Sequence, residues 1–222
     1  MNKPNIWIAL DVASRDAAES VLERFSPHRQ FKVGLELFTA IGPQAIFEWA
    51  HGGLEIFLDL KLHDIPNTVN RTLDRIAELG VSLTTIHTSG GMAMMKNASR
   101  VSLAVVGVTL LTSLDEMDTR RMGWEGSSQE IVRRLTDLAH QAHLAGVVAS
   151  AGEVETILRL WPTARIVVPG LRWGMSAAND QARVATPGEA WQVGATDLVV
   201  GRALTARTDF RKAYQELMAF FS

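Results

Sequence analysis

One segment, residues 57–68, combines charged side chains with the alternation of a β-strand and reads FLDLKLHDIPNT. Successive side chains of a strand point to opposite faces, so Asp59 and Lys61 share one face and the leucines between and beside them share the other. A carboxylate and an ammonium on one face can hold a charged substrate and move a proton. Asp64 follows the strand and adds a second carboxylate. The spacing predicts a charged site at a strand end.

Two further charged residues occupy corresponding positions earlier in the chain. Asp11 ends the first apolar run and Lys32 lies within the second. Together with Asp59 and Lys61, they come from three consecutive predicted strands. An isolated Asp-x-Lys pair is more often a solvated ion pair at the surface. Buried charge is costly unless it is paired, so four charges of alternating sign favour a compensating network that serves chemistry.

Carboxylates close together also suit Mg²⁺, which is the alternative interpretation of this network. The ammonium groups of Lys32 and Lys61 would supply the positive charge that a metal otherwise brings, and they would repel an incoming cation. The sequence contains no cysteine, which excludes disulfides, thiolate metal sites and a cysteine nucleophile. We therefore expect no metal ion at this site.

The elements that would position these residues are eight short runs rich in Val, Ile and Leu, separated by amphipathic segments. This alternation is typical of βα units around a parallel sheet. The runs occupy residues 6–12, 31–35, 55–61, 83–88, 103–111, 146–150, 165–170 and 197–201, and helices are predicted over 15–25, 42–50, 67–79, 128–143 and 152–160. Because no linker divides the chain, we predict one α/β domain over residues 1–222, a single (β/α)8 TIM barrel. A doubly wound open sheet is disfavoured because polar residues end nearly every strand.

The overall composition points to a small metabolite as the substrate. The chain has 22 basic and 24 acidic residues and a formal net charge of -2, so neither nucleic acid nor an anionic membrane is expected as a partner. The first apolar run is too short for a signal peptide or a membrane span. We expect a cytoplasmic enzyme.

Residues after the last two predicted strands are candidates for binding phosphate, which TIM barrels often hold there. Gly201 allows close backbone approach and offers an N–H, and Arg202 adds a guanidinium that suits phosphate oxygens. Pro169 and Arg172 follow the seventh run. Residues 173–181 are small, polar and long enough to close over a ligand, and an ordinary surface loop is the equal alternative.

In order along nearly the whole chain, these motifs resemble the family of orotidine 5'-phosphate decarboxylases of the bacterial type. The matching segments are residues 10–11, 32–34, 57–68, 87–91, 108–113, 169–172, 180–181 and 200–202, and the pattern D-x-K-x-x-D-I-P-N-T is the most specific of them. The resemblance implies a homodimeric TIM barrel that converts orotidine 5'-monophosphate to UMP and CO2 without a cofactor. That reaction is the last step of de novo UMP biosynthesis.

The resemblance also implies a role for each matched residue. Lys61 would be the proton donor to C6 of the pyrimidine, and Asp59 would lie beside the departing carboxylate. Asp64 and Thr68 would reach the site of the partner subunit. The other implied substrate-binding residues are Asp11 and Lys32 at the ribose, Thr112 near the pyrimidine, Gln181, Gly201 and Arg202 at the phosphate with Arg172 close by, and Pro169.

Two other functions are compatible with such a barrel. One is a Mg²⁺-dependent sugar-phosphate decarboxylase of the same superfamily, such as 3-keto-L-gulonate 6-phosphate decarboxylase, in which a metal-binding acid stands where this chain has Lys32. The other is a barrel without catalytic activity that binds a phosphorylated metabolite as a sensor or scaffold. An alternating charge network would have little purpose in such a sensor.

Overall fold

Each of the eight apolar runs forms one strand of a parallel sheet that closes into a barrel in the computed structural model, which describes residues 3–174 and 185–221. The strands are β1 Asn5–Ala9, β2 Gln30–Gly34, β3 Glu55–Leu62, β4 Leu83–His87, β5 Ala104–Val108, β6 Gly146–Val148, β7 Arg165–Val168 and β8 Asp197–Val200. Each strand pairs with the next, and β8 pairs with β1, which closes the ring. The predicted TIM barrel is confirmed, and the open sheet is excluded.

Helices follow the strands and cover the outside of the barrel. Those of the described residues are α1 Arg15–Arg24, α2 Leu35–His51, α3 Pro66–Glu78, α4 Met92–Ala98, α5 Glu116–Arg121, α6 Ser128–Gln141, α7 Val154–Leu160, α8 Pro187–Gln192, α9 Arg202–Thr205 and α10 Phe210–Ala219. Local chemistry explains several helix starts. Ser127 and Glu130 form a capping box on α6, and Pro66 occupies the first turn of α3, where no backbone N–H is needed. None of the described helices is both long and apolar enough to cross a membrane.

The alternation of side chains along the strands divides the core into two parts. Residues of one face pack against the helices, and those of the other fill the barrel interior. The buried interior residues are Trp7, Ala9, Phe57, Leu83, Val106, Val167 and Val199. The interior faces of the strands continue toward their carboxyl ends. Asp11 therefore follows Ala9, and Asp59 follows Phe57, at intervals of two residues. The interior is therefore apolar in its middle and charged at the mouth.

A second charged group lies at the opposite end of the barrel, where the strands begin. We call it the base cluster and define it as Asn5, Trp7, Arg165, Thr196 and Asp197. Arg165 donates two hydrogen bonds to the Asp197 carboxylate, from Nε at 2.9 Å and from Nη2 at 2.6 Å. Asn5, Trp7 and Thr196 also donate to this carboxylate, at 3.0, 2.8 and 2.7 Å. Asp197 is fully buried, and these five bonds compensate its charge.

Candidate active site

The four charged residues predicted to meet at the barrel mouth line one cavity. We call Asp11, Lys32, Asp59 and Lys61 the mouth cluster. The cavity has a volume of about 220 Å³, and its lining residues are Leu10, Asp11, Lys32, Gly34, Leu35, Glu36, Leu37, Asp59 and Lys61. Lys32 Nζ lies 3.2 Å from Asp11 Oδ1, and Lys61 Nζ lies 2.7 Å from Asp59 Oδ2. Two ion pairs from three neighbouring strands thus face a common space.

The backbone of β3 is irregular where it carries this chemistry. Leu58 and Leu62 lie four positions apart, but their partners on β4 are only two positions apart, so extra residues of β3 are accommodated between them. Lys61 has a φ of +49°, which is uncommon for a residue with a side chain. Irregularities of this kind redirect side chains and occur often beside active sites. Within this bulge, the ammonium of Lys61 lies 2.7 Å from the carboxylate of Asp59.

Two glycines make room for the charged side chains. A Cβ atom at Gly34 would lie 3.1 Å from Nζ of Lys32, which is tighter than an ordinary contact. A Cβ atom at Gly201 would lie 3.1 Å from Oδ2 of Asp11. Gly201 follows β8, so this approach brings the loop after the last strand against the end of the first. Gly201, one of the predicted phosphate residues, and the mouth cluster therefore adjoin at the seam between β1 and β8.

The mouth cluster is only partly shielded from solvent. The side chains of Lys32 and Asp59 are 12% and 14% exposed, whereas those of Lys61 and Asp11 are 32% and 49% exposed. Within the described residues, each ammonium is bonded to a single side-chain oxygen. An ammonium has three donors, so both lysines keep donors for a bound ligand.

His87 lies at the end of β4 beside this cluster. Burial lowers its pKa, and the nearby His63 and Lys61 lower it further, against the opposing influence of Asp59. The rings of His63 and His87 are 5.4 Å apart between centroids. His87 is therefore expected to be neutral near neutral pH, so it adds no positive charge to the mouth.

Three residues implied for substrate binding or catalysis lie outside the cavity. Asp64 and Thr68 are exposed at the start of α3, and Oδ1 of Asp64 accepts a hydrogen bond from the backbone N–H of Ile65 at 2.7 Å. Thr112 is exposed in the loop after β5. Each of these side chains is open to solvent in the single chain.

The candidates for phosphate binding lie after β7 and β8, also outside the cavity. Pro169 is exposed, and Arg172 is half-buried with its backbone N–H donated to the carbonyl of Ala185 at 3.2 Å. Arg202 is exposed at the first position of α9. Gln181 and most of the predicted lid over residues 173–181 fall outside the described residues.

Sequence reasoning missed a polar residue that contacts the mouth cluster, and also the start of α2, where Leu35, Glu36 and Leu37 line the cavity. Thr85 of β4 is fully buried and donates a hydrogen bond from Oγ1 to Asp59 Oδ1 at 2.9 Å. Its only sequence signal is its place two residues after Leu83, on the interior face. Among the residues that the structure describes, no three His, Asp or Glu side chains come together in a way that could hold a metal ion.

Comparison with known proteins identifies the family. The sequence profile of the orotidine 5'-phosphate decarboxylase / HUMPS family matches residues 4–217. Orotidine 5'-phosphate decarboxylase from Erythrobacter litoralis is 43% identical over 99% of each chain, and that from Novosphingobium aromaticivorans is 44% identical over 94% of this chain and 95% of its own.

Solved structures agree. The crystal structure of orotidine 5'-phosphate decarboxylase from Lactobacillus acidophilus has a TM-score of 0.87 at 31% identity, and the match covers 100% of both chains. The enzyme from Methanocaldococcus jannaschii, complexed with the inhibitor BMP, has a TM-score of 0.79 at 19% identity over 99% of both chains, a likeness of fold alone. The chain belongs to the orotidine 5'-phosphate decarboxylase / HUMPS family.

Proposed function

We propose that this chain is an orotidine 5'-phosphate decarboxylase that converts orotidine 5'-monophosphate to UMP and CO2, the last step of de novo UMP biosynthesis. The observation that carries the proposal is the mouth cluster, with two ammonium groups and two carboxylates facing one cavity. Full-length relatives that bear this activity in their names support it. The balanced charge and the lack of cysteine support a small-molecule substrate in a reducing compartment.

The proposed chemistry needs a fixed cation beside the pyrimidine. When the bond between C6 and the carboxylate breaks, the electron pair stays on C6, and no organic cofactor disperses it. The ammonium of Lys61 stabilises this charge electrostatically and then transfers a proton from Nζ to C6. Its 2.7 Å ion pair with Asp59 supports this role, because the carboxylate holds the ammonium in place.

Asp59 has a second proposed effect, on the substrate carboxylate. A negative group held beside it destabilises the bound substrate more than it destabilises neutral CO2. Contacts to the remote phosphate offset that cost. We assign these contacts to Gln181, Gly201 and Arg202, with Arg172 and Pro169 near them, and the ribose to Lys32 and Asp11. Thr112 is assigned to the pyrimidine.

The main alternative is a Mg²⁺-dependent sugar-phosphate decarboxylase of the same superfamily. The position of Lys32 argues against it, because its ammonium lies in the cavity, 3.2 Å from the Asp11 carboxylate. A cation already present there would compete electrostatically with a metal ion.

The decisive experiment follows the loss of orotidine 5'-monophosphate absorbance with purified protein, before and after exhaustive chelation. We expect activity that chelation leaves unchanged. A parallel assay with 3-keto-L-gulonate 6-phosphate and Mg²⁺ provides the comparison. Activity only on that sugar phosphate, or activity that chelation removes and Mg²⁺ alone restores, would contradict the proposal.

We further propose that two copies of the chain share their active sites, with Asp64 and Thr68 acting in the neighbouring subunit. Both residues are exposed and lie outside their own cavity, which supports a contribution to another chain. In a two-fold dimer, each site would combine Lys61 of one chain with Asp64 of the other.

A complementation experiment tests this arrangement. The inactive variants Lys61→Ala and Asp64→Ala are unfolded together and refolded as a mixture. Random pairing makes about half of the dimers hybrid, and one site of each hybrid carries neither substitution, so about a quarter of all sites should be intact. Activity should therefore reappear. A mixture that stays inactive, although tagged pull-down recovers hybrids, would show that Asp64 acts within its own chain.

A further inference from the structure

Thr85 connects the two reacting groups of β3 through one hydroxyl. Its Oγ1 accepts a hydrogen bond from the backbone N–H of Lys61 at 2.8 Å and donates one to Oδ1 of Asp59 at 2.9 Å. The other oxygen of the Asp59 carboxylate receives Nζ of Lys61 at 2.7 Å. A ring of contacts thus runs from the Lys61 backbone through Thr85 and Asp59 to the Lys61 side chain.

The direction of these bonds follows from the groups involved. A backbone N–H can only donate and an ionised carboxylate can only accept, so the hydroxyl between them must accept from Lys61 and donate to Asp59. Thr85 is fully buried, and a hydrogen bond in such surroundings is stronger than one in water.

The ring coincides with the irregularity of β3. The pairing of β3 with β4 shifts register between Leu58 and Leu62, and Lys61 adopts a positive φ within this interval. Its backbone N–H bonds to a side chain of β4. A strained backbone conformation persists only when its surroundings hold it. The Thr85 hydroxyl is the contact that satisfies the displaced N–H.

We propose that Thr85 is a positioning residue for decarboxylation, which fixes the Lys61 backbone and orients the Asp59 carboxylate, so that ammonium and carboxylate keep their places while the substrate reacts. This inference rests on the proposed function. Thr85 does not line the cavity and acts through its two partners. Its effect should therefore be on the rate of the chemical step and not on substrate binding.

The neighbouring residue provides a matched control. Thr84 is also fully buried on β4, and its Oγ1 donates to the backbone carbonyl of Leu58 at 2.8 Å. It lies on the opposite face of the strand and contacts no member of the mouth cluster in the described residues. Thr84→Val and Thr85→Val therefore each remove one threonine hydroxyl, from adjacent buried positions. A loss of packing or stability alone should appear in both variants.

The kinetic experiment measures kcat and KM for wild type, Thr85→Val, Thr85→Ser and Thr84→Val. A misplacement of reacting groups by about 1 Å can cost roughly 100-fold in rate, so we expect Thr85→Val to lower kcat by about 10- to 100-fold with little change in KM. Thr85→Ser keeps the hydroxyl and should restore most of kcat. Thr84→Val should keep the wild-type kcat. If Thr85→Val does not fold, Thr85→Ala is compared with Thr85→Ser in its place.

A wild-type kcat in Thr85→Val, an equal loss in Thr84→Val, or a Thr85→Ser protein as slow as Thr85→Val would overturn the inference. Crystal structures of the two valine variants give a readout that does not depend on the reaction. In Thr85→Val we expect Lys61 Nζ and Asp59 to move from their 2.7 Å contact, and in Thr84→Val we expect them to keep it. Unchanged geometry in both would refute the role of Thr85. A wild type inactive on orotidine 5'-monophosphate would contradict the proposed function instead, and the crystal structures would still decide whether Thr85 holds this geometry.

Discussion

The two ends of the barrel carry charged clusters that differ in how completely their charged groups are hydrogen-bonded and in how far they are exposed to solvent. At the base, the Asp197 carboxylate accepts hydrogen bonds from five donors and has no exposed surface. At the mouth, the ammonium groups of Lys32 and Lys61 each bond one carboxylate among the described residues, and their side chains are 12% and 32% exposed. The base cluster is complete within the chain, whereas the mouth cluster has donors left over.

This difference separates stability from function. A buried charged group that already makes all of its hydrogen bonds is not stabilised further by a ligand. Removing such a group leaves its hydrogen-bond partners unsatisfied. A cluster with spare donors is held less firmly by the fold, and it can bind a charged group that the fold does not contain. The base should therefore determine whether the barrel is stable, and the mouth whether it reacts.

The largest effect on activity is expected from Lys61→Ala. Removing a proton donor, the role we propose for Lys61, costs about 10²- to 10⁴-fold in rate, and loss of the cation that we propose beside C6 adds to that cost, so kcat should fall by at least about 10³-fold. The melting temperature should change little, because the side chain is one-third exposed. Steady-state kinetics and thermal unfolding measure both. A large loss of stability would contradict the expectation that the base determines stability and the mouth determines activity.

The largest effect on stability is expected from Asp197→Ala at the base. Removing one partner of a buried ion pair costs about 3–5 kcal/mol, because Arg165 and the Trp7 indole N–H lose their acceptor. Denaturant unfolding measures this loss, and kcat of the folded fraction should stay near the wild-type value. Asp197→Asn keeps the shape and should be milder. A folded Asp197→Ala protein with lowered kcat would show that the base also supports the reaction.

Arg202→Ala should reveal how the mouth uses a residue outside the cavity. Removing one member of a desolvated charge pair costs at least about 2 kcal/mol, so we expect kcat/KM to fall by about 30-fold or more. If phosphate binding also drives closure over the substrate, kcat falls as KM rises. Arg211→Ala, an exposed arginine on α10, serves as the control. Unchanged kinetics would mean that the phosphate binds elsewhere.

The smallest effect concerns pH and a histidine near the base. Nε2 of His28 lies 2.9 Å from the carbonyls of Ile6 and Gln30, and burial lowers the pKa of the ring despite these bonds. The unfolded chain takes up a proton near the ordinary pKa of 6.5, and the folded chain resists it. The neutral His28 ring therefore makes its full contribution to the stability of the fold above the ordinary pKa. This contribution is lost as the pH falls from the ordinary pKa toward the lower pKa of the folded chain.

The measurement is the melting temperature between about pH 7.5 and pH 5.5. As the pH is lowered over this range, the melting temperature should fall more in the wild type than in His28→Gln. His87→Gln provides the comparison at the mouth, because the pKa of His87 is also lowered. An identical pH dependence in wild type and His28→Gln would show that protonation of His28 does not contribute to acid sensitivity.

The fold and the mouth cluster could be predicted because their patterns are local. Alternation placed Asp59 and Lys61 on one face, and repetition along the chain placed Asp11 and Lys32 near them. The base cluster could not be predicted in this way, because Asn5 and Asp197 meet only when β8 pairs with β1. The bond from the Lys61 backbone to Thr85 falls in the interval where the register of β3 and β4 shifts, and no single strand reveals that shift.

The closed seam between β1 and β8 also has a consequence for synthesis of the chain on the ribosome. The mouth cluster is complete once β3 has emerged, yet Gly201 reaches the carboxylate of Asp11 only after the last strand has been made. An unfinished chain would therefore carry the charged half of the site without the half that we assign to the phosphate. Ring closure, and not the appearance of any one residue, would mark the moment at which a newly made chain brings both halves of its own site together.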